Sequence, residues 1–235
     1  RTGADFFRCV QMIKDRLGSK PLVMQIPVGI ESSFKGVVDL IEEKAILFDI
    51  EDQGEYSITE VPKELKEKVS QCRSALVEKI CETDDILTEK YLEEEDITNS
   101  ELKIALRRAT VEYKLVPVLC GSALRNLGVH QLLDAIGEYL PSPLDVPSVK
   151  GKLYQSDQDV TRDPDEDGPF AALAFKTVTD PFIGRLVYFR VYSGTAESGS
   201  MVFNSTTGKR ERLGRVVKMH ANHKEDVDSV SAGDI

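Results

Sequence analysis

A few short segments carry side chains or glycines at spacings that chemistry could use. Residues 194–200 have the glycine spacing of a phosphate-binding loop, but a serine stands where that loop needs its lysine, so we interpret them as a hairpin turn. His220 and His223 could offer two metal ligands, yet no Cys or carboxylate stands with them to complete a site. Asp84 and Asp85 lie in an acidic run that we expect to be exposed, and no catalytic triad can be assigned from spacing. We therefore predict neither a catalytic residue nor a metal ligand here.

The turn Gly121–Ser122–Ala123 lies between two regular elements. Lys114–Cys120 is an apolar run typical of a buried parallel strand, and a helix is predicted to follow the turn. The helix positions expected to face inward are Val129, Leu132, Leu133 and Ile136. The order strand, loop, helix indicates an α/β arrangement, although Gly-Ser-Ala alone mostly marks a turn.

The residues before this turn predict helices around a small sheet. Thr2 could cap a first helix, which Gly18 would end, with a packing stripe at Phe6, Val10, Ile13 and Leu17. Predicted strands are Leu22–Val28, Gly36–Asp39 and Ala45–Phe48. A helix beginning at Pro62 should bury Leu65, Val69, Cys72, Leu76 and Ile80. Thr98 to Glu101 form a capping box, and Leu102, Leu106 and Ala109 continue that helix inward.

The pattern changes to strands alone after a group of prolines, so we place a domain boundary near Pro147. Residues 155–168 are predicted to form an exposed acidic loop. The strands predicted beyond it are Phe170–Thr177, Arg185–Tyr192, Met201–Asn204 and Glu211–Met219, and an all-β barrel is their natural closure. Residues 232–235 stop where another strand should begin, which predicts an open edge.

Composition indicates a soluble globular chain. Of its 235 residues, 41% are apolar and 30% charged, and no apolar run approaches the roughly 18 residues of a membrane helix. The four cysteines are scattered and form no Cys-x-x-Cys pair. This spacing indicates neither a zinc site nor a disulfide framework and fits a reducing compartment. Residues 21–115 hold 22 of the 40 acidic but only 12 of the 30 basic residues, so this segment should avoid RNA and could attract a basic partner. A solvated acidic helix face is the alternative.

Residues 209–224 form a contrasting basic stretch. Its cationic side chains are Lys209, Arg210, Arg212, Arg215, Lys218 and Lys224, against the single acid Glu211. Such a stripe suits contacts with phosphates that do not read bases, and its alternative is a solvated barrel face.

Several short sequence segments, in order along the whole chain, resemble elongation factor G. They are RTGADFF, KGVVDLI, EKYLEEE, CGSALRN, LLDAI, YLPSP and the stretch Phe170 to Gly194 with its Asp-Pro-Phe-Ile-Gly turn. The resemblance implies the C-terminal part of a P-loop GTPase-type α/β domain with an α+β insertion, followed by an incomplete all-β barrel. Residues 1–20 and 116–147 would finish the GTP-binding domain, 21–115 would be the insertion, and 148–235 would begin the second-domain barrel.

The resemblance also implies a nucleotide site. Ser122, Ala123 and Leu124 would contact guanine, because amides on a tight turn can donate to the base carbonyl and small residues allow close approach. Arg1 to Phe6 resemble the residues that follow the Asn-Lys-x-Asp motif, so that motif, the phosphate loop and the switch residues are expected upstream. The parent protein would use GTP and Mg²⁺ to drive movement of tRNA and mRNA, whereas we expect the isolated chain to neither bind nor hydrolyse GTP.

The implied partner is the ribosome. Arg210, Arg212, Arg215 and Lys218 are the candidates for contact with small-subunit rRNA, and the acidic insertion would face the large-subunit stalk proteins; tRNA and mRNA would be met only indirectly. No membrane contact is expected. The implied location is the cytoplasm or, alternatively, a mitochondrial or plastid matrix.

Other interpretations stay open at this point. A paralogue of elongation factor G specialised for ribosome recycling is an alternative, whereas the length of the insertion argues against ribosomal-protection GTPases and peptide release factor three. The chain could also be a non-catalytic module that docks on the ribosome or its stalk.

Overall fold

The computed structural model describes residues 2–49, 55–180, 184–220 and 223–235. The chain divides into two compact units, Arg1–Leu140 and Pro141–Ile235, and the division falls close to the proline run. Within the described residues, no helix has the length and apolar character needed to cross a bilayer.

The first unit opens with helix α1 (Phe6–Leu17). Asp5 caps it by accepting a hydrogen bond from the Arg8 backbone N–H at 3.0 Å, and Gly18 ends it in a left-handed conformation with φ of 63°. The prediction of Thr2 as the cap was therefore wrong, because the helix begins one turn later than the sequence pattern suggested.

Two sheets follow. Strand β1 (Pro21–Val23) pairs in parallel with β6 (Val116–Val118). The other sheet is antiparallel, in the order β2 (Gln25–Val28), β3 (Gly36–Asp39), β4 (Lys44–Phe48) and β5 (Tyr56–Glu60). The single strand predicted over Leu22–Val28 is thus divided between two sheets. Strand β5 was missed because all its residues are exposed and it carries no burial pattern.

Three helices cover one face of the four-stranded sheet: α2 (Lys66–Cys81), α3 (Asp85–Leu92) and α4 (Asn99–Val111). Pro62 does not open α2 as predicted, since a 3₁₀ turn, Lys63–Leu65, lies between them. The capping box is confirmed, because Thr98 Oγ1 accepts from the Glu101 backbone N–H and Glu101 Oε2 accepts from the Thr98 N–H at 2.9 Å. A hydrogen bond from Lys90 and those from Thr98 lower the pKa of Glu101 to about 2.

The core of the first unit lies between these helices and the sheet. Its large aliphatic side chains that are at most 2% exposed are Leu22, Ile26, Val38, Leu40, Ile41, Leu76, Ile80, Leu102 and Leu106. The inward stripes predicted for α2 and α4 are confirmed at Val69, Leu76, Ile80, Leu102, Leu106 and Ala109. Leu65 and Cys72 are half-buried against the same core.

Two helix faces expected inside are only partly buried. In α1 (Phe6–Leu17), Phe6, Val10 and Ile13 are half-buried. Helix α1 buries no residue, and its Leu17 is 72% exposed. In helix α5 (Val129–Tyr139), Leu132, Leu133 and Ile136 are 46%, 57% and 43% exposed. The apolar periodicity predicted both helices but could not show which elements, if any, cover them.

The second unit is built of antiparallel strand pairs. They are β7 (Val149–Lys152) with β8 (Asp159–Arg162), β9 (Ala171–Asp180) with β10 (Gly184–Ser193), β11 (Thr195–Glu197) with β16 (Ser229–Ser231), β12 (Met201–Asn204) with β13 (Lys209–Arg212), and β14 (Val217–His220) with β15 (His223–Asp226). Its small core contains Val191, Ala196, Val216 and Val230. The predicted turn between β9 and β10 falls on residues 181–183, outside the described residues.

Three expectations for this unit were wrong in detail. The strand predicted over Glu211–Met219 is broken, because Leu213 exchanges backbone hydrogen bonds with Gly199 and Ser200 instead. Strand β8 lies inside the predicted acidic loop, and β11 lies inside the predicted hairpin turn. Near the end of the chain, Val191 donates to Asp234 O and accepts from Gly233 N, each at 2.9 Å, and the open edge stays a prediction.

Candidate functional site

The predicted guanine-contacting turn lies at the carboxyl end of β6 and immediately before α5. Because β6 pairs in parallel with β1, the turn lies at the edge of a parallel pair from which loops usually approach ligands. The expected order of strand, loop and helix over residues 115–136 is confirmed.

Backbone hydrogen bonds close this turn into a small, fixed loop. Ser122 N–H donates to Leu127 O at 2.8 Å, and Leu127 N–H donates back to Ser122 O at 3.0 Å. A 3₁₀ turn, Ala123–Arg125, fills the space between them, and Asn126 takes the left-handed conformation with φ of 53°. The loop is therefore shaped by its own backbone.

Two glycines make this closure possible. A Cβ added at Gly121 would stand 2.6 Å from Leu127 O, closer than carbon and oxygen can approach without a shift of the backbone. Gly128 has φ of 78° and its added Cβ would stand 3.1 Å from Cys120 O. Neither position tolerates a side chain without moving the loop.

Ala123 and Leu124 present backbone N–H groups at the surface of this loop. Both residues are exposed, Leu124 to 96%, and neither amide has a hydrogen-bond acceptor among the described residues. Ser122 is different, because its amide is used to close the loop. Of the three residues predicted to contact guanine, two thus offer free backbone donors, and the third holds them in place.

An apolar cluster anchors the loop from below. Leu127, 2% exposed, packs with Val37 and Phe48 of the four-stranded sheet, and Cys120 joins this cluster. Burial raises the pKa of the Cys120 thiol to about 12, so that thiol stays protonated at neutral pH. The loop is therefore held by rigid packing.

The structure separates the four basic residues predicted to contact RNA. Arg215 forms a two-pronged ion pair with Asp226, Lys218 Nζ lies 3.0 Å from Asp234, and Arg212 Nε donates to Gly199 O at 2.9 Å. Arg210 is exposed and has neither an ion pair nor a side-chain hydrogen bond within the described ranges. The basic stretch alone did not reveal this difference, since the partners Gly199, Asp226 and Asp234 lie outside it.

The histidine pair lies across one strand pair. His220 and His223 stand opposite each other in β14 and β15, and His220 Nε2 lies 3.1 Å from Glu225 Oε2. The residues between the two histidines lie outside the described residues. No cluster of three or more His, Cys, Asp or Glu side chains suited to a metal ion occurs in the part of the chain that the structure describes.

Comparison with known proteins identifies the second unit. Residues 169–235 match the sequence family described as elongation factor G domain 2. A crystal structure titled ttk003000868, from Thermus thermophilus, matches 99% of this chain with 31% sequence identity and a TM-score of 0.76. The present chain spans 32% of that protein's chain.

These findings support a relationship of the chain to translation elongation factors. Residues 169–235 belong to the second domain of elongation factor G, and the resemblance inferred from the sequence is confirmed. The expected fold class is confirmed as an α/β segment followed by a β domain.

Proposed function

We propose that this chain is part of an elongation factor G that binds and hydrolyses GTP to drive movement of tRNA and mRNA through the ribosome. The free amides of Ala123 and Leu124, at the carboxyl end of a parallel strand, are the observation that carries the proposal. They suit the carbonyl oxygen of a guanine base, which accepts hydrogen bonds and carries no charge. The recycling-specialised paralogue shares this site and stays an alternative.

The chemistry of these residues fits one wall of a purine pocket. Two N–H donors can grip a carbonyl, and each such bond contributes about 0.5–1.5 kcal/mol. The exposed Leu124 side chain can cover an apolar base face. Phosphate, Mg²⁺ and the hydrolytic groups would be held by residues upstream, so we expect the isolated chain to have no measurable GTP hydrolysis.

Replacing Gly121 by alanine in a longer protein that contains this chain and the upstream motifs should weaken GDP binding at least about tenfold. The added methyl would push against Leu127 O and turn the amides of Ala123 and Leu124 away from the base. Each of these two hydrogen bonds contributes roughly 1 kcal/mol to binding, and most of that contribution would be lost. Isothermal titration calorimetry measures the affinity directly.

Gly137→Ala is the matched control for this measurement. Gly137 lies in α5, and a Cβ there would meet nothing within 4 Å, so GDP affinity should be unchanged. Equal affinities for the Gly121 and Gly137 variants would contradict the guanine-pocket assignment.

A non-catalytic docking role for the isolated chain is the second candidate, favoured by the uneven charge. The acidic run Glu93 to Asp96 is exposed between α3 and α4. Such a surface suits a basic partner, and we assign the ribosomal stalk proteins to it. Small-subunit rRNA is assigned to the basic surface of the second unit.

The four cysteines are free thiols, which supports a location in the cytoplasm or an organelle matrix.

Charge reversal should distinguish among the basic residues. We expect Arg210→Glu to weaken ribosome binding of the longer protein most at low salt. The slope of log binding constant against log salt concentration should fall in magnitude by about 1, the value for one phosphate contact. Arg215→Glu should do less, because Asp226 already neutralises that guanidinium. Binding measured by co-sedimentation over a salt series tests this; equal slopes for wild type and Arg210→Glu would exclude Arg210 from the contact.

A further inference from the structure

A cavity of about 240 Å³ with both polar and apolar lining lies in the first unit, between one face of the four-stranded sheet and helix α5. The sheet contributes Gln25 and Asp39, which stand directly opposite each other in β2 and β3. Helix α5 contributes Gln131, Asp134 and Glu138, whose spacing places them on one stripe. Helix α5 also presents Ala135 and Tyr139 to the cavity, so each wall combines polar and apolar side chains.

Gln25 is the first indication of a ligand. Its side chain is only 2% exposed and lines the cavity, yet its Oε1 has no hydrogen-bond partner among the described residues. A buried polar atom without a partner costs about 1–3 kcal/mol, and native structures rarely leave one. None of the described residues therefore supplies the hydrogen-bond donor that Gln25 Oε1 lacks.

The charges around the cavity are predominantly negative. Asp39, Asp134 and Glu138 line it against the single cation Lys103. The Lys103 ammonium is itself held by Glu42 at 2.8 Å and Glu138 at 3.5 Å. Burial raises the pKa of Asp39, although its Oδ1 accepts from the backbone of Ile41 and Glu42. A positively charged group entering the cavity would lower that cost of burial.

Apolar side chains form the remaining wall. Ile46, Ile58 and Tyr56 line the cavity from the same face of the sheet, and Tyr56 and Ile58 are 42% and 65% exposed, so the cavity is open to solvent there. The Tyr56 ring lies 6.3 Å from that of His130. An alkyl chain can lie along this wall while its end reaches the carboxylates and the amide.

We propose that this cavity binds a small aliphatic primary amine, whose ammonium group donates to Gln25 Oε1 and faces Asp39 and Asp134. The ammonium supplies the missing donor and balances the negative lining. The aliphatic part covers Ile46 and Ile58. This site is separate from the guanine loop and does not depend on the function proposed above.

Titration of the 235-residue chain with 1,4-diaminobutane tests the proposal. We expect saturable binding with a dissociation constant of about 1 mM or tighter, which is within reach of a ligand with about six heavy atoms. The neutral analogue 1,4-butanediol should bind at least about tenfold more weakly. Chemical shift changes in ¹⁵N spectra should centre on β2, β3 and α5.

Two variants locate the site. Gln25→Met should weaken diamine binding at least about fivefold and leave the fold intact, because it removes an unpaired polar group from a buried position. Asp134→Asn changes an exposed helix residue that cannot compromise folding, and it should weaken binding about threefold. Glu89→Gln, on the exposed surface of α3, is the matched control and should have no effect.

Three results would overturn the assignment. They are absence of saturation at about 20 mM diamine, equal affinity for the diol, and unchanged affinity in both Gln25→Met and Asp134→Asn. The first would mean that the cavity takes up no diamine, the second that it does not recognise the ammonium group, and the third that the diamine binds elsewhere.

Discussion

Replacing Leu106 by alanine should destabilise the first unit by about 2–5 kcal/mol, the range for removing a large buried aliphatic side chain. Leu106 is 0% exposed at the centre of the α4 stripe, where it joins the core that connects α2 and the sheet. Truncation removes this packing and leaves a cavity that the surrounding helices can fill only in part. Urea unfolding followed by far-UV circular dichroism reports this unit, since α1 to α5 all lie within it.

Ile104→Ala is the control for Leu106→Ala, because it lies on the same helix but is 58% exposed. We expect a change below about 0.5 kcal/mol there. A Leu106→Ala midpoint indistinguishable from that of Ile104→Ala would show that the helix does not pack as described.

Gly194→Ala should destabilise the second unit by at least about 3 kcal/mol through backbone strain and a steric clash. Gly194 has φ of 72°, and an added Cβ would stand 2.6 Å from Gly168 O and equally close to two backbone atoms of Phe170. The Gly194 N–H also donates to Asp165 O at 2.7 Å, so the backbone cannot shift without losing that bond. Amide hydrogen exchange in β9 and β10 should accelerate about 100-fold, as expected for this loss of stability.

Gly214→Ala provides the comparison within the same unit. A Cβ at Gly214 would meet nothing within 4 Å, so exchange in β9 and β10 should stay as in the wild type. If the Gly194 and Gly214 variants exchanged alike, the tight approach of residues 168–170 to Gly194 would be wrong.

The sequence was most informative where a local rule decides the structure. The capping box at Thr98 and the buried stripe of α4 follow from side-chain spacing within one helix, and both are confirmed. Helix α3 was not predicted, because it has only 8 residues and a single buried side chain, Leu87. Its N-cap is Asp84, which the sequence suggested only as part of an exposed acidic run.

Longer-range features escaped prediction for a different reason. The division of residues 211–219 depends on hydrogen bonds with residues 199 and 200, which lie outside that segment. The half-buried face of α1 and the exposed face of α5 carry the same apolar periodicity that buried faces have. Periodicity identifies a helix, but only the packed structure shows what covers each face.

The candidate sites show the same limits. The loop at Ser122 could be located from the sequence, whereas the free amides of Ala123 and Leu124 depend on how Ser122 and Leu127 close it. The neutralisation of Arg215 and Lys218 comes from Asp226 and Asp234. The cavity between the four-stranded sheet and α5 was missed. Gln131, Asp134 and Glu138 recur at helical spacing and could have indicated a polar stripe facing it.

The guanine-pocket assignment is tested most directly by ¹H–¹⁵N spectroscopy of a longer protein that includes this chain and the upstream motifs, during titration with GDP. We expect the amide signals of Ala123 and Leu124 to shift downfield and saturate with nucleotide, while that of Gly214 in the other unit stays unchanged. Saturation of the protein with GDP and no change at Ala123 or Leu124 would contradict the account.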